Sequence, residues 1–255
     1  MSTAIDTRRS FLVPAIQLGT VILFVLIWDV SVRWGYIDQL FLAGPFETLS
    51  KLGTIWHEAI PHLYVTLVGF VLAFVFGVVL ALLVGLLLNL SRFAYATFMP
   101  LLVLGVTIPK VTLLPLFVLW FGIDRSTVII YAALSAFFPM VVNVAAAGLE
   151  VKPNQILLAR AMGYNQIQIY RKVILPAMLP VLMSGLFYAC NAAMMGVFIV
   201  ELALSRFGMG SLIHDFAVTF RTGELYAAVL LTATVTVLIN ITLWYLARYF
   251  GRWRA

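Results

Sequence analysis

Apolar residues run almost unbroken through six stretches of the chain, at 11–32, 64–88, 99–121, 127–149, 177–200 and 225–249. Each reaches the roughly 20 residues that a helix needs to cross the hydrocarbon of a bilayer. The runs are too long and too continuous for strands of a transmembrane barrel. They predict an all-α integral membrane protein, a single six-helix bundle over residues 1–255. Between the first two stretches, Phe46, Leu49, Leu52, Ile55, Trp56, Ala59 and Ile60 fall at helical spacing, with Glu47, Lys51, His57 and Glu58 among them. That alternation predicts an amphipathic helix over 46–62, lying on the outer membrane surface or packed on the bundle.

Between the fourth and fifth runs the pattern breaks. Residues 150–176 form a polar loop with room for two short helices. Pro153 can open the first, and Gly163 can end it, because glycine enters the left-handed region without a Cβ clash. A second helix is expected over 166–172, and Leu175-Pro176 then begins the next span. The result is a compact knob outside the bilayer, a shape for docking.

Charge settles the orientation expected of this bundle. One side collects Arg8, Arg9, Arg92, Lys152, Arg160, Arg171, Lys172, Arg248, Arg252 and Arg254. The other has Arg33, Lys51, Arg125, Arg206 and Arg221, diluted by Asp38, Glu47, Glu58, Asp124, Asp215 and Glu224. The positive-inside rule then puts both termini and the 150–176 loop in the cytoplasm. With 64% hydrophobic and 10% charged residues, the net charge of +6 lies between and beyond apolar runs. It reads as an orientation signal and gives no support to nucleic-acid binding.

Inside the runs a few residues stand out. Gly69, Ala73, Gly77, Ala81 and Gly85 form a small-residue ladder, which lets helix backbones approach closely where lipid gives no hydrophobic drive. Lys110 follows Pro109 near the middle of the third run, where an ammonium costs on the order of 2.5 kcal/mol or more unless paired or hydrated. It either serves an anion pathway or pairs with an acid such as Glu201. Ser135 and Asn143 in the fourth run, Asn191, Met194 and Met195 in the fifth, and Thr236 and Asn240 in the sixth are further candidates for a solute path. Hydrogen bonding between helices explains the polar ones as well.

The chemistry that is missing narrows the function. No lysine follows a glycine, so the phosphate-binding pattern G-x-x-x-x-G-K is absent, as are a Cys/His cluster and G-x-G-x-x-G. Cys190 is the single cysteine, and neither a metal site nor catalytic residues are expected. Transport driven by ATP would need its ATPase, with ATP and magnesium, on another polypeptide.

Two stretches carry a family resemblance. Ala159, Gly163 and Val173-Ile174-Leu175-Pro176 resemble the signature loop of ABC-importer permeases, with Leu157 and Leu158 at its glutamate and first alanine. Residues 108–123, Ala136-Phe137-Phe138-Pro139, Val200-Glu201 and Phe207-Gly208-Met209-Gly210 are similar to the nitrate/sulfonate/taurine branch, over about residue 43 to the C-terminus. Phe187 stands where that branch often has arginine. The resemblance implies a type I importer permease in a bacterial inner membrane, working by alternating access. Its coupling helix would use Leu157, Leu158, Ala159, Arg160, Gly163, Tyr164, Leu175 and Pro176. The implied partners are a second permease copy, two cytoplasmic ATPases and an extracytoplasmic solute-binding protein. The expected solute is a small anion such as a sulfonate, taurine or nitrate. The alternatives are a neutral or aromatic vitamin precursor, an ion-coupled secondary transporter, and a membrane subunit that does not transport.

Overall fold

A computed structural model of the chain describes residues 3–148, 151, 153–204 and 206–251, with side chains from position 12 to 248 among these. Leu149, Glu150 and Lys152 of the expected fourth span and loop, the C-terminal Arg252 and Arg254, and the side chains of Arg8 and Arg9 lie outside the described residues. Among the described residues ten α-helices follow one another: α1 Thr3–Arg33, α2 Pro45–Asn89, α3 Arg92–Thr107, α4 Leu114–Phe121, α5 Arg125–Ala147, α6 Pro153–Ala161, α7 Gln166–Ile169, α8 Leu175–Leu204, α9 Met209–Val218 and α10 Thr222–Gly251. A 3-10 turn at Lys110–Leu113 precedes α4, and a π turn at Tyr170–Ile174 joins α7 to α8. No strand occurs among the described residues. Among the described residues five helical runs are long and apolar enough to span a membrane, and α3 with the helical stretch Lys110–Phe121 makes a sixth if the bent pair is one span.

Two differences from the sequence expectation have simple causes. The expected surface helix at 46–62 and the span at 64–88 form one continuous helix, α2. Its change from amphipathic to apolar composition is a change of surroundings, and the backbone carries on through Pro61. At 1.5 Å per residue its contour is about 67 Å, so only part of it can lie in hydrocarbon. The run at 99–121 is not one straight helix. It breaks between α3 and the turn after it with a bend of 88°. Ile108 is driven to extended geometry (φ −62°, ψ 125°) because the residue before a proline avoids the α region. Pro109 then has no N–H with which to continue the ladder.

The chain divides into two compact units. One comprises the chain up to Ala59 with Ile213–Leu231. There, polar tips fasten the segment after α1: Trp28 Nε1 donates to the Ala43 carbonyl (2.9 Å), Thr222 Oγ1 to Leu40 (2.6 Å) and Tyr226 Oη to Phe41 (3.3 Å). Lys51 Nζ meets Glu224 at 3.1 Å and Arg221 meets Glu58 at 3.7 Å.

The other unit comprises Ile60–Leu212 and the chain from Thr232 onward. Its centre is α5, with Val128, Tyr131, Ala132, Ala136, Met140, Val141 and Val144 buried. The small-residue ladder of α2 packs here. A Cβ on Gly77 would lie 2.6 Å from the Ala133 carbonyl oxygen, and one on Gly85 2.6 Å from Val144 Cβ. Both partners advance along α5 as the ladder advances along α2, so the two helices run parallel. Against α8 the order reverses: Gly185 faces Asn143 and Gly196 faces Ala132. Without these glycines neither neighbour could reach the α5 backbone.

Candidate functional site

The knob is built from two helix ends that each satisfy their own backbone. At the end of α6, Gly163 takes φ +79°, Tyr164 N–H bonds to the Ala159 carbonyl (3.1 Å) and Gly163 N–H to Arg160 (3.0 Å). These are the two bonds of a Schellman cap. At the start of α7, Asn165 and Gln168 bond each other's backbone N–H reciprocally, both at 2.9 Å, a capping box. Rather than a second helix over 166–172 that stops before the span, α7 passes through the π turn into α8, giving one helical run from Gln166 to Leu204. Ala159 and Ile169 are buried, while Leu157, Leu158, Met162 and Ile167 are exposed. Four large apolar side chains are thus held in the open on a scaffold capped at both helix ends. A groove of about 370 Å³ beside them is lined by Leu158, Ala159, Tyr164, Lys172 and Pro176, among others. Lys172 Nζ lies 5.0 Å from the centre of the Tyr164 ring.

The expected pathway residues separate into two groups. Ser135 is buried and donates to the Tyr131 carbonyl (2.9 Å); Asn143 Nδ2 donates to Pro139 (2.8 Å), at the contact with Gly185. Met194 is 4% exposed and Met195 66%, so only the second faces away from the core. On α8 the exposed residues Ser184, Tyr188, Asn191 and Met195 stand at i, i+4, i+7 and i+11, one helical stripe. Asn191 and Asn240 exchange amide hydrogen bonds (3.1 and 3.2 Å), and Asn240 also donates to the Thr236 carbonyl (3.0 Å). Next to this pair lies a cavity of about 630 Å³ with Phe187, Tyr188, Trp244, Ser184 and Asn191 on its wall.

Lys110 sits at the break of the bent span. Its Nζ is 3.4 Å from the Val106 carbonyl and 5.7 Å from the centre of the Phe138 ring. Among the described residues it makes no ion pair with a carboxylate. Glu201 is occupied elsewhere, so the pair considered from sequence is not formed. The residue is 2% exposed, and its carboxylate accepts from Thr66 Oγ1 (2.9 and 2.8 Å) and Gly210 N–H (3.1 Å). Thr66 Oγ1 in turn accepts from Met209 N–H (2.8 Å), and His62 Nδ1 lies 2.9 Å from the Gly208 carbonyl oxygen. Sequence reasoning picked out Glu201 and its glycine turn but missed Thr66, a single hydroxyl in an apolar run. No group of three His, Cys, Asp or Glu side chains able to hold a metal occurs among the described residues.

The broken third span, the close glycine contacts at positions 77, 85, 185 and 196 and the capped external helix pair all lie in one part of the chain. Residues 73–255 match the family described as binding-protein-dependent transport system inner membrane component. The chain belongs to this family. A permease protein of Bacillus subtilis (strain 168) named for aliphatic sulfonates transport, SsuC, is 29% identical over 96% of this chain and 87% of its own. The riboflavin transport system permease protein RibX of Chloroflexus aurantiacus is 29% identical over 100% of this chain and 96% of its own. Among solved structures, a chain from inward-facing conformations of the MetNI methionine ABC transporter superposes with a TM-score of 0.62. It shares 22% identity, with 74% of this permease and 94% of that chain covered. The fold is that of a type I ABC importer permease. The protein is therefore a multi-pass inner-membrane permease subunit of an ABC importer, not an enzyme. It works with an ATPase subunit, where hydrolysis takes place, and with a solute-binding protein.

Proposed function

We propose that the whole chain acts as one six-span permease domain that pairs with a second copy of itself and imports a small anion of the sulfonate or taurine class. Both termini and the 150–176 loop lie in the cytoplasm, where two ATPases carry ATP and magnesium. Leu157, Leu158, Ala159, Arg160, Gly163 and Tyr164 dock in an ATPase cleft, and Leu175-Pro176 passes the movement to α8. The uninterrupted helical run from Gln166 to Leu204 supports this coupling. ATP drives the cycle by binding one arrangement better than the other.

The observation that carries the anion reading is Lys110, an ammonium at a backbone break with no carboxylate partner among the described residues. Unneutralised charge in a membrane-spanning segment is retained where it serves a pathway. Lys110→Met is expected to lower uptake of taurine or ethanesulfonate by roughly tenfold, about 1.4 kcal/mol of barrier, in proteoliposomes of the assembled complex. Uptake at the wild-type rate excludes the lysine from the path.

The knob has its own test. Valine at Gly163 must hold φ near +79°, a region that costs a side-chain-bearing residue about 1–2 kcal/mol. Gly163→Val is expected to dissociate the ATPase on purification or to leave hydrolysis running without uptake. A complex that assembles and transports normally rules out the docking role.

A second reading rests on the cavity beside Asn191 and Asn240. Phe187, Tyr188 and Trp244 give it aromatic surfaces and Asn191 an amide, a lining suited to a flat neutral solute such as a vitamin precursor. The ligand carried by the partner binding protein decides between the two readings.

A further inference from the structure

We infer that Arg125 and Arg206 form an oxyanion-binding site at the outer mouth of the permease, which receives the sulfonate or carboxylate group of the solute before it enters the membrane. The inference rests on the outward orientation and anionic solute proposed above. Five basic residues lie on the outer side: Arg33, Lys51, Arg125, Arg206 and Arg221. Three have carboxylates. Arg33 meets Asp29 at 2.8 Å, Lys51 meets Glu224 at 3.1 Å and Arg221 meets Glu58 at 3.7 Å. Arg125 and Arg206 make no ion pair among the described residues, and both line the same cavity.

That cavity measures about 160 Å³, several times what a single water requires. It lies between the start of α5 and the end of α8, with Val128, Val200, Leu204 and Phe207 as its apolar wall. Asp124 also borders it, and its carboxylate takes a long contact from Ser126 Oγ (3.5 Å). Two guanidiniums against one carboxylate leave the lining with one net positive charge. A planar guanidinium offers paired donors to a sulfonate or carboxylate, and an apolar wall limits the competition from water. Arg125 continues into a second cavity of about 90 Å³, bordered by Val65, Gly69 and Leu72 of α2 and by Glu201, whose carboxylate oxygens are already bonded to Thr66 and Gly210. An anion held by the pair thus sits at the entrance of a cleft between three core helices.

The test is protection of these arginines from phenylglyoxal, read by peptide mass on the permease–ATPase complex in nanodiscs. Ethanesulfonate is expected to slow modification of Arg125 and Arg206 together, and uncharged dimethyl sulfone to leave both rates unchanged. A charge-assisted hydrogen bond is worth enough for about a tenfold change in binding. Arg206→Gln should therefore raise the ethanesulfonate concentration that half-protects Arg125 by about tenfold, and Arg125→Gln should do the same for Arg206. Three results overturn the site: no protection by ethanesulfonate, protection of one arginine that ignores loss of the other, or protection only on adding solute-free binding protein. The last would mean that a protein carboxylate seats there instead. Because the wild-type measurement needs no variant, a misfolded variant does not spare the inference. Protection by ethanesulfonate without its transport would leave the site standing and remove only the proposed solute class.

Discussion

Gly77→Leu abolishes a folded permease: in detergent extracts the variant is expected to elute as aggregate or to be degraded, without a monodisperse complex. The reason is which atoms stand opposite. A Cβ at this position would be 2.6 Å from the carbonyl oxygen of Ala133 and 2.9 Å from Ala136 Cβ. Neither can rotate away, since both belong to the frame of α5, so the helices themselves must separate. Overpacking in a well-packed core costs about 1–3 kcal/mol when side chains can yield, and occasionally more. Here the added bulk meets backbone, in a setting where close van der Waals contact is the main attraction between helices. Gly69→Ala is the control: its Cβ would meet only Val128 Cγ1, at an ordinary 3.9 Å, and it should behave as wild type. A Gly77→Leu complex that elutes and melts like the native one would refute the close-contact account of the ladder.

The second large effect is expected at the buried carboxylate. Glu201→Ala leaves the Gly210 N–H without its acceptor, and an unsatisfied buried donor costs about 1–3 kcal/mol. Thr66 Oγ1 loses less, because the His62 carbonyl is 3.2 Å away as a second acceptor. Including the space left by the side chain, the melting temperature should fall by roughly 5–10 °C. Glu201→Gln keeps one carbonyl oxygen for Gly210 and should restore more than half of the loss. Gly208 is coupled to the same group. It holds φ +109°, and a Cβ there would run into the Glu201 carboxylate. Gly208→Ala is therefore severe in the native background and milder once Glu201 is alanine, so the two changes should combine to less than their sum. Strict additivity in thermal melts would show that the turn and the carboxylate do not depend on each other.

Much of the fold was legible because its signals are local. A membrane span announces itself in one stretch of sequence, and Pro153 with Gly163 marked the knob through backbone chemistry that depends only on neighbours. The bend at Pro109 was less legible. A proline in an apolar run either kinks a helix or ends it, and the packing around it decides which. The boundary drawn between 46–62 and 64–88 tracked a change of polarity that the backbone of α2 ignores. In the candidate path, Met194 and Met195 are alike in composition, yet one turn angle puts the first in the core and the second outside it. An apolar helix gives no polar stripe to tell its faces apart. Thr66 lies 135 residues from Glu201, and nothing near either position reveals that they meet.

The broken span also bears on how the complex is made. Pro109 has no hydrogen for the Gly105 carbonyl, and Thr107, Ile108, Pro109 and Val111 are all exposed. Irregular backbone facing hydrocarbon costs several kcal/mol for each unsatisfied group. A solitary newly inserted subunit bears that penalty until protein or water covers the bend.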